Sequence, residues 1–183
     1  MIEDKERWNR RHVEKPMRHF IEPIVEKYIK EASVGNALDI ACGVGRNTHF
    51  LVASGFTVDA VDFSDYALSQ VTDNEKIKKI EVDLDTYDLA VNQYDLIVNI
   101  NYLNRRLFPQ IKDGLKRGGI LIFETFIVAH GDFSQPKNKE FLLRKNELLH
   151  AFIGLAIIYY EERSDINLRG EQTRVASLIA RKN

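Results

Sequence analysis

At 183 residues the chain is long enough for one domain with a core that folds alone. It is 44% hydrophobic and 29% charged, with a formal net charge of −1, which excludes bulk attraction to nucleic acid or anionic membrane. Its single cysteine, Cys42, excludes an intrachain disulfide and suits a reducing compartment.

The opening residues MIEDKERWNRRH carry no apolar stretch, and the longest apolar runs are strand-sized. The expectation is a cytoplasmic protein without a secretory signal or membrane span. Short basic clusters at Lys76, Lys78 and Lys79, at Arg105 and Arg106, and at Lys116 and Arg117 read as solvated faces.

In chain order, a polar helix over Asp4–His12 precedes an amphipathic one marked by Ile21, Ile24, Val25, Tyr28 and Ile29, with Pro23 near its first turn. Ala37–Ala41 is a short strand that runs into a glycine turn. Asn47, Phe50, Leu51 and Ser54 mark a helical face closed by Gly55. Phe56–Val61 is the second strand, and Ser64 caps a helix carrying Ala67, Leu68 and Val71. Ile77–Val82 and Tyr94–Ile100 are the third and fourth strands. Leu107, Phe108, Ile111 and Leu115 form a further helical face, for which Lys116-Arg117-Gly118-Gly119 reads as the C-terminus. Ile120–Ile127 is the fifth strand.

Buried strands alternating with helices predict an α/β, doubly wound, Rossmann-like sheet of seven mostly parallel strands. After a polar loop over Val128–Lys139 and a short helix over Glu147–Phe152 come two strands, Leu155–Glu161 and Thr173–Arg181. The link Glu162–Gln172 has no apolar face for a crossover helix, so this last pair is expected to be antiparallel at one edge. The whole chain, 1–183, is expected to form one domain: an N-terminal arm over 1–32, a cofactor-binding core over 37–127 and a substrate-side segment over 128–183.

The chemistry starts at Leu38–Asn47, LDIACGVGRN. In doubly wound sheets ligands bind beyond the carboxyl ends of the strands, where this turn lies. Gly43 and Gly45 permit positive φ and close backbone approach, and the following helix N-terminus favours an anionic group. A dinucleotide fingerprint needs a third glycine, but Thr48 stands at that position. Asp39, four residues before Gly43, suits a cationic partner such as the ammonium of an amino-acid moiety and fits a pyrophosphate poorly.

These residues resemble motif I of the class I S-adenosylmethionine-dependent methyltransferases. The resemblance continues in VDAVDFS, EVDLDTY, YDLIVNINYL and LKRGGILIFETF, and covers roughly residues 5 to 181. RWNRRH, the GRN after the glycines, YLNRRLFP and FLLRKNELL look most like the small tellurite-resistance-type methyltransferases within that class.

The resemblance implies S-adenosyl-L-methionine as cofactor, held by Asp39, Ala41, Gly43, Gly45 and Asn47 at the turn. It implies Asp62 and Phe63 at the ribose, Asp83 and Leu84 at the adenine, Asn99 at the methionine end, and Arg11 as partner of the methionine carboxylate. Asp85 is a rival to Asp83. Tyr102, Arg105 and His130 are candidates on the acceptor side. His130, Glu124 and Tyr102 are candidate bases by location only, so no catalytic residue is assigned. Asn99 and Tyr102 share the N-x-x-Y spacing of an amine-methylating motif but lack its two prolines.

The five histidines (His12, His19, His49, His130 and His150) show no metal-ligand spacing, so no metal is expected. The implied activity is methyl transfer to a small-molecule acceptor, a thiol or a metalloid oxyanion, with no nucleic-acid or membrane partner. A nicotinamide-dependent oxidoreductase and a non-catalytic cofactor-binding module stay open as alternatives. The oligomeric state is open too.

Overall fold

The computed structural model describes residues 2–14, 20–166 and 170–183. His19 of the histidine reading, and residues 167–169 within the expected last link, lie outside the described residues.

One seven-stranded sheet organises the chain. Its strands are β1 (Asn36–Ile40), β2 (Thr57–Asp62), β3 (Ile77–Glu81), β4 (Tyr94–Ile100), β5 (Leu115–Phe126), β6 (Ala156–Ile166) and β7 (Gln172–Arg181), in the order β3-β2-β1-β4-β5-β7-β6. The first five strands pair parallel, while β7 pairs antiparallel with both β5 and β6. The helices are α1 (Ile2–Glu14), α2 (Pro23–Tyr28), α3 (Arg46–Ala53), α4 (Asp65–Gln70), α5 (Leu107–Gly114) and α6 (Glu147–Ala151). No helix among the described residues is long and apolar enough to cross a membrane.

Strand alternation sends side chains to two cores. On one face Leu38, Ile40, Ile97, Leu121 and Phe123 pack under α5 and α6. There Phe108, Phe123 and Phe152 meet with ring centroids 5.4–5.9 Å apart. On the other face Ala37, Leu96, Val98, Ile120, Ile122 and Ile179 pack against Val25 of α2 and Leu51 of α3. The sheet is therefore covered on both faces, as a parallel sheet requires.

Two expected boundaries are corrected. Lys116–Gly119 does not end a helix: α5 stops at Gly114, and Leu115 already opens β5. Gly118 has φ +81°, and its N–H bonds the Lys182 carbonyl, while Lys182 N–H returns to Gly119. A Cβ on Gly119 would stand 2.8 Å from the Tyr94 carbonyl oxygen. The glycines thus let the strand pass close to β4 and β7, where the β4–β5 register shifts. The last hairpin is also longer than expected, because β6 runs on to Ile166 and β7 starts at Gln172.

Candidate cofactor and acceptor sites

The strand order reverses between β1 and β4, so the crevice beyond their carboxyl ends is the switch point of the sheet. The residues just past these two ends are both strained. Ala41 follows β1 with φ +51°, and Asn101 follows β4 with φ +58°. Non-glycine residues adopt such angles at a cost of about 1–2 kcal/mol, and they gather at functional sites.

After Ala41 the turn continues through Gly43 at φ +56° and Gly45 at φ +79°. Gly45 is the N-cap of α3 and supplies no side-chain cap; the Thr48 N–H serves Asp39, which leaves the Arg46 and Asn47 amides of the first turn to meet an anion.

Two carboxylates define this end. Asp62, at the end of β2, accepts from Gly43 N–H at 2.7 Å and from Ser64 N–H at 2.8 Å. One side chain thereby fixes the glycine turn and starts α4, whose N-cap Ser64 accepts from Ala67 N–H at 3.0 Å. Each Asp62 oxygen keeps a further lone pair for a hydroxyl.

Asp39 is 2% exposed and accepts from Thr48 Oγ1 at 2.6 Å. Burial pushes its carboxyl up to about 6, against the opposing pull of the Thr48 hydroxyl and the Arg46 charge. Thr48, at the position of the missing third glycine, thus serves the acid of the turn.

The other residues expected here fall as follows. Asn47 is buried, and its Oδ1 accepts from Glu22 N–H at 3.3 Å, tying the chain before α2 to α3. Phe63 is half-buried beside Asp62. Asp83 accepts from Asp85 N–H at 2.9 Å, while Asp85 accepts from Asn104 Nδ2 at 2.9 Å. Leu84 packs its side chain into the α5–α6 core. Asn99 is 1% exposed and donates to the Tyr102 carbonyl at 2.8 Å, so the N-x-x-Y spacing joins an amide to a backbone oxygen. Burial raises the Tyr102 hydroxyl to about 12. Cys42 is buried, and its thiol is pushed well up by burial, which suppresses the thiolate.

Helix α1 docks beside this crevice. Asn9 donates to Asp65 at 2.7 Å and accepts from Ser64 Oγ at 2.6 Å, while Lys5 pairs with Asp65 at 3.0 Å and with Glu81. His12 sits close enough for the Asp62 charge to act on it, although burial dominates and lowers its pKa. Arg11 lies 5.0 Å from the Trp8 ring centroid, a cation–π contact on the exposed side of α1.

On the acceptor side Arg105 is committed to the loop after β5. Its guanidinium grips both oxygens of Glu147 and the Glu140 and Leu142 carbonyls. His130 is exposed and lines a cleft of about 450 Å³ with Val128, Ala129, Gln135, Pro136 and Leu142. No group of His, Cys, Asp and Glu among the described residues could hold a metal ion.

Sequence reasoning named Glu124 as a candidate base by location but missed the polar cluster around it on the α2–α3 face of β5 and β7. Glu124, 3% exposed, accepts from Ser177 Oγ and from Arg163 Nη2 at 2.9 Å. Arg163 also pairs with Asp165 at 2.8 Å, and Arg46 pairs with Glu22 at 2.6 Å. The available signal was an acid and a serine, Glu124 and Ser177, each inside an apolar strand.

The residues present fit a ligand with a cationic amino-acid end and a ribose. Asp39 keeps a buried acid at the turn, Asp62 faces the same turn with spare lone pairs, and the α3 amides can take a carboxylate. The family model described as "Tellurite resistance protein TehB" matches residues 9–173. The chain is 26% identical over 161 residues to "Probable S-adenosyl-L-methionine-dependent methyltransferase TehB" of Haemophilus influenzae, covering 79% of this chain and 56% of that protein. It thus spans little more than half the length of the curated relatives it matches.

The crystal structure of TehB from Haemophilus influenzae superposes with a TM-score of 0.78 at 21% identity, covering 94% of this chain and 66% of that one. That of an S-adenosylmethionine dependent methyltransferase from Mesorhizobium loti gives 0.71 at 18% identity, covering 87% and 96%. Both likenesses are of fold. With its family model running from α1 into β7, the chain belongs to the TehB family of tellurite resistance proteins.

Proposed function

We propose that this chain binds S-adenosyl-L-methionine and transfers its methyl group to a small acceptor, a thiol or a metalloid oxyanion. The observation that carries the reading is Asp62, whose carboxylate holds the Gly43 turn at the switch point and keeps lone pairs for the ribose hydroxyls. The relatives' names point to the same cofactor.

The bound cofactor supplies an activated methyl on a cationic sulfonium. The protein's work is alignment: holding two reactants in near-attack geometry is worth roughly 7–11 kcal/mol of a barrier. Gly43, Gly45 and the α3 N-terminus receive the amino-acid end, Asp39 favours its ammonium, and Asp62 takes the ribose. Asp83 and the backbone at Leu84 are assigned to the adenine, and Asn99 to the methionine end. Helix α1 lies over the crevice with His12 on the Asp62 side, and Arg11, on its exposed side, is assigned to the methionine carboxylate. The segment 128–183, with Tyr102 and His130, forms the acceptor side. Its loop is short, which suits a small molecule.

The test is transfer of isotope-labelled methyl from S-adenosylmethionine to a panel of small thiols, selenite, tellurite, bulk tRNA and bulk protein. Label on a small acceptor is expected. Label confined to tRNA or protein, or reduction of a substrate by a nicotinamide cofactor, overturns the reading.

A further inference from the structure

The loop after β3 carries the residues assigned to the adenine, and side chains that follow β4 hold that loop. Residues 82–93 join β3 to β4 without a helix or strand. The loop makes one tight turn at Asp83. The Asp83 carbonyl takes Thr86 N–H at 3.0 Å and Tyr87 N–H at 2.8 Å, and its carboxylate takes Asp85 N–H at 2.9 Å. The carbonyls beyond Asp83 need partners from another element.

Arg106 supplies them. Its Nη1 donates to the Tyr87 carbonyl at 2.8 Å and reaches that of Leu84 at 3.5 Å. Its Nη2 reaches the Thr86 carbonyl at 3.4 Å and pairs with Asp88. Asn104 adds Nδ2 contacts to the Leu84 carbonyl at 3.2 Å and to Asp85 at 2.9 Å, and its Oδ1 takes Arg106 N–H at 3.0 Å. Asp88 is exposed, so its ion pair is screened and adds little. The carbonyls of Leu84, Thr86 and Tyr87 converging on one planar guanidinium are a geometry that the compact ammonium of lysine does not match.

This clamp borders the cofactor crevice. Asn104 Nδ2 lies 3.5 Å from the Tyr102 hydroxyl, and the charges of Asp85, Asp83 and Asp62 all act on that hydroxyl. Asp83 is half-buried, whereas Asp85 is exposed and tied to Asn104, which favours Asp83 as the acid that meets the base.

We propose that Arg106 is a positioning residue for base recognition: by clamping the Leu84, Thr86 and Tyr87 carbonyls it holds the Asp83 carboxylate and the Leu84 N–H in the alignment that tells adenine from other purines. This rests on the methyltransferase reading above and deepens it. Adenine presents a donor amino group beside an acceptor ring nitrogen, and a carboxylate beside a backbone N–H is the complementary pair. Hypoxanthine reverses both polarities, with a carbonyl beside a ring N–H. A site whose polar groups are held in place rejects such an analogue, because each group would face its like. With the Leu84 side chain already packed in the α5–α6 core, the clamped carbonyl leaves the Leu84 N–H little freedom. The adjacent Arg105 grips the loop after β5 instead, and so serves as a control of the same side-chain type.

The experiment is calorimetric titration of the wild type, Arg106→Met and Arg105→Met with S-adenosylhomocysteine and with S-inosylhomocysteine, its hypoxanthine analogue. The wild type should prefer the adenine compound by about 100-fold or more. Arg106→Met should bind S-adenosylhomocysteine about 10-fold more weakly, or worse, and hold S-inosylhomocysteine within a few-fold, so the preference narrows. Arg105→Met should keep the wild-type preference. A merely structural role for Arg106 would weaken both ligands alike and leave the preference intact, and that result overturns the assignment. So does an equal narrowing in Arg105→Met, or wild-type affinity for S-adenosylhomocysteine in Arg106→Met.

Should Arg106→Met fail to fold in a thermal melt, Arg106→Lys takes its place with the same expected narrowing. Wild-type protein that binds neither compound defeats the underlying reading instead. Wild-type protein that binds both equally defeats this inference alone.

Discussion

The two halves of the crevice treat their carboxylates in opposite ways. At the β1–β2 end, Asp39 and Asp62 are held by a hydroxyl and by backbone N–H groups, with no guanidinium among the described residues bonded to either. At the β5–β7 end, Glu124, Asp165 and Glu22 are each paired with an arginine. A carboxylate held by neutral dipoles keeps its charge for a partner, and a buried one stays costly until that partner arrives. The first half is thus suited to a cation, while the carboxylates of the second half already have their cations.

The sharpest way to break this contrast is Asp62→Ala. It removes the ribose partner and frees the Gly43 and Ser64 amides together, so S-adenosylhomocysteine affinity should fall about 100-fold or more, near 3 kcal/mol. An unchanged Kd by calorimetry would place the ribose elsewhere.

Asp39 gives the next effect, and its sign is definite. Its folded pKa of about 6 exceeds the ordinary 3.8, so the native state binds the proton more readily than the unfolded chain. Stability from this group therefore rises as pH falls from about 6 to about 4, and the full penalty stands at pH 7. Asp39→Asn, which keeps a partner for Thr48, should stabilise the unliganded protein at pH 7 by on the order of 2–3 kcal/mol and flatten its melting temperature between pH 4 and 6. An ammonium docking beside Asp39 would pull its pKa down. Cofactor-product binding at pH 5–6 should therefore release a proton, read as a buffer-dependent binding enthalpy that Asp39→Asn abolishes.

Smaller effects test the frame of the crevice. Asn9→Ala cuts the contacts to Ser64 and Asp65, and should cost about 1 kcal/mol while speeding cofactor dissociation. Relief of the positive φ in Ala41→Gly outweighs the extra flexibility of glycine in the unfolded chain, for a gain of up to about 1 kcal/mol in chemical denaturation.

Much of the first half was legible in the sequence. Apolar runs that end in LDIACGVG and VDFS show both strands, the turn and the acid of the second strand within ten residues each. Ser64 could be read as a cap because capping is local. The second half was not legible, since its contacts are long-range. Glu22, Glu124, Arg163 and Ser177 meet only after β7 inserts between β5 and β6. Lys116–Gly119 satisfies every local rule for a helix end, and only its pairing with Lys182 makes it strand. Arg105 read in sequence as a candidate on the acceptor side, and the fold binds it to the loop after β5.

The central claim is that this glycine turn holds a sulfonium cofactor rather than a dinucleotide. Calorimetric titration of the wild type and Asp62→Ala with S-adenosylhomocysteine and, in parallel, NAD tests it most directly. The account predicts saturable binding of S-adenosylhomocysteine that the substitution weakens, and no binding of NAD. Saturable NAD binding with none of S-adenosylhomocysteine would contradict it and make the chain an oxidoreductase.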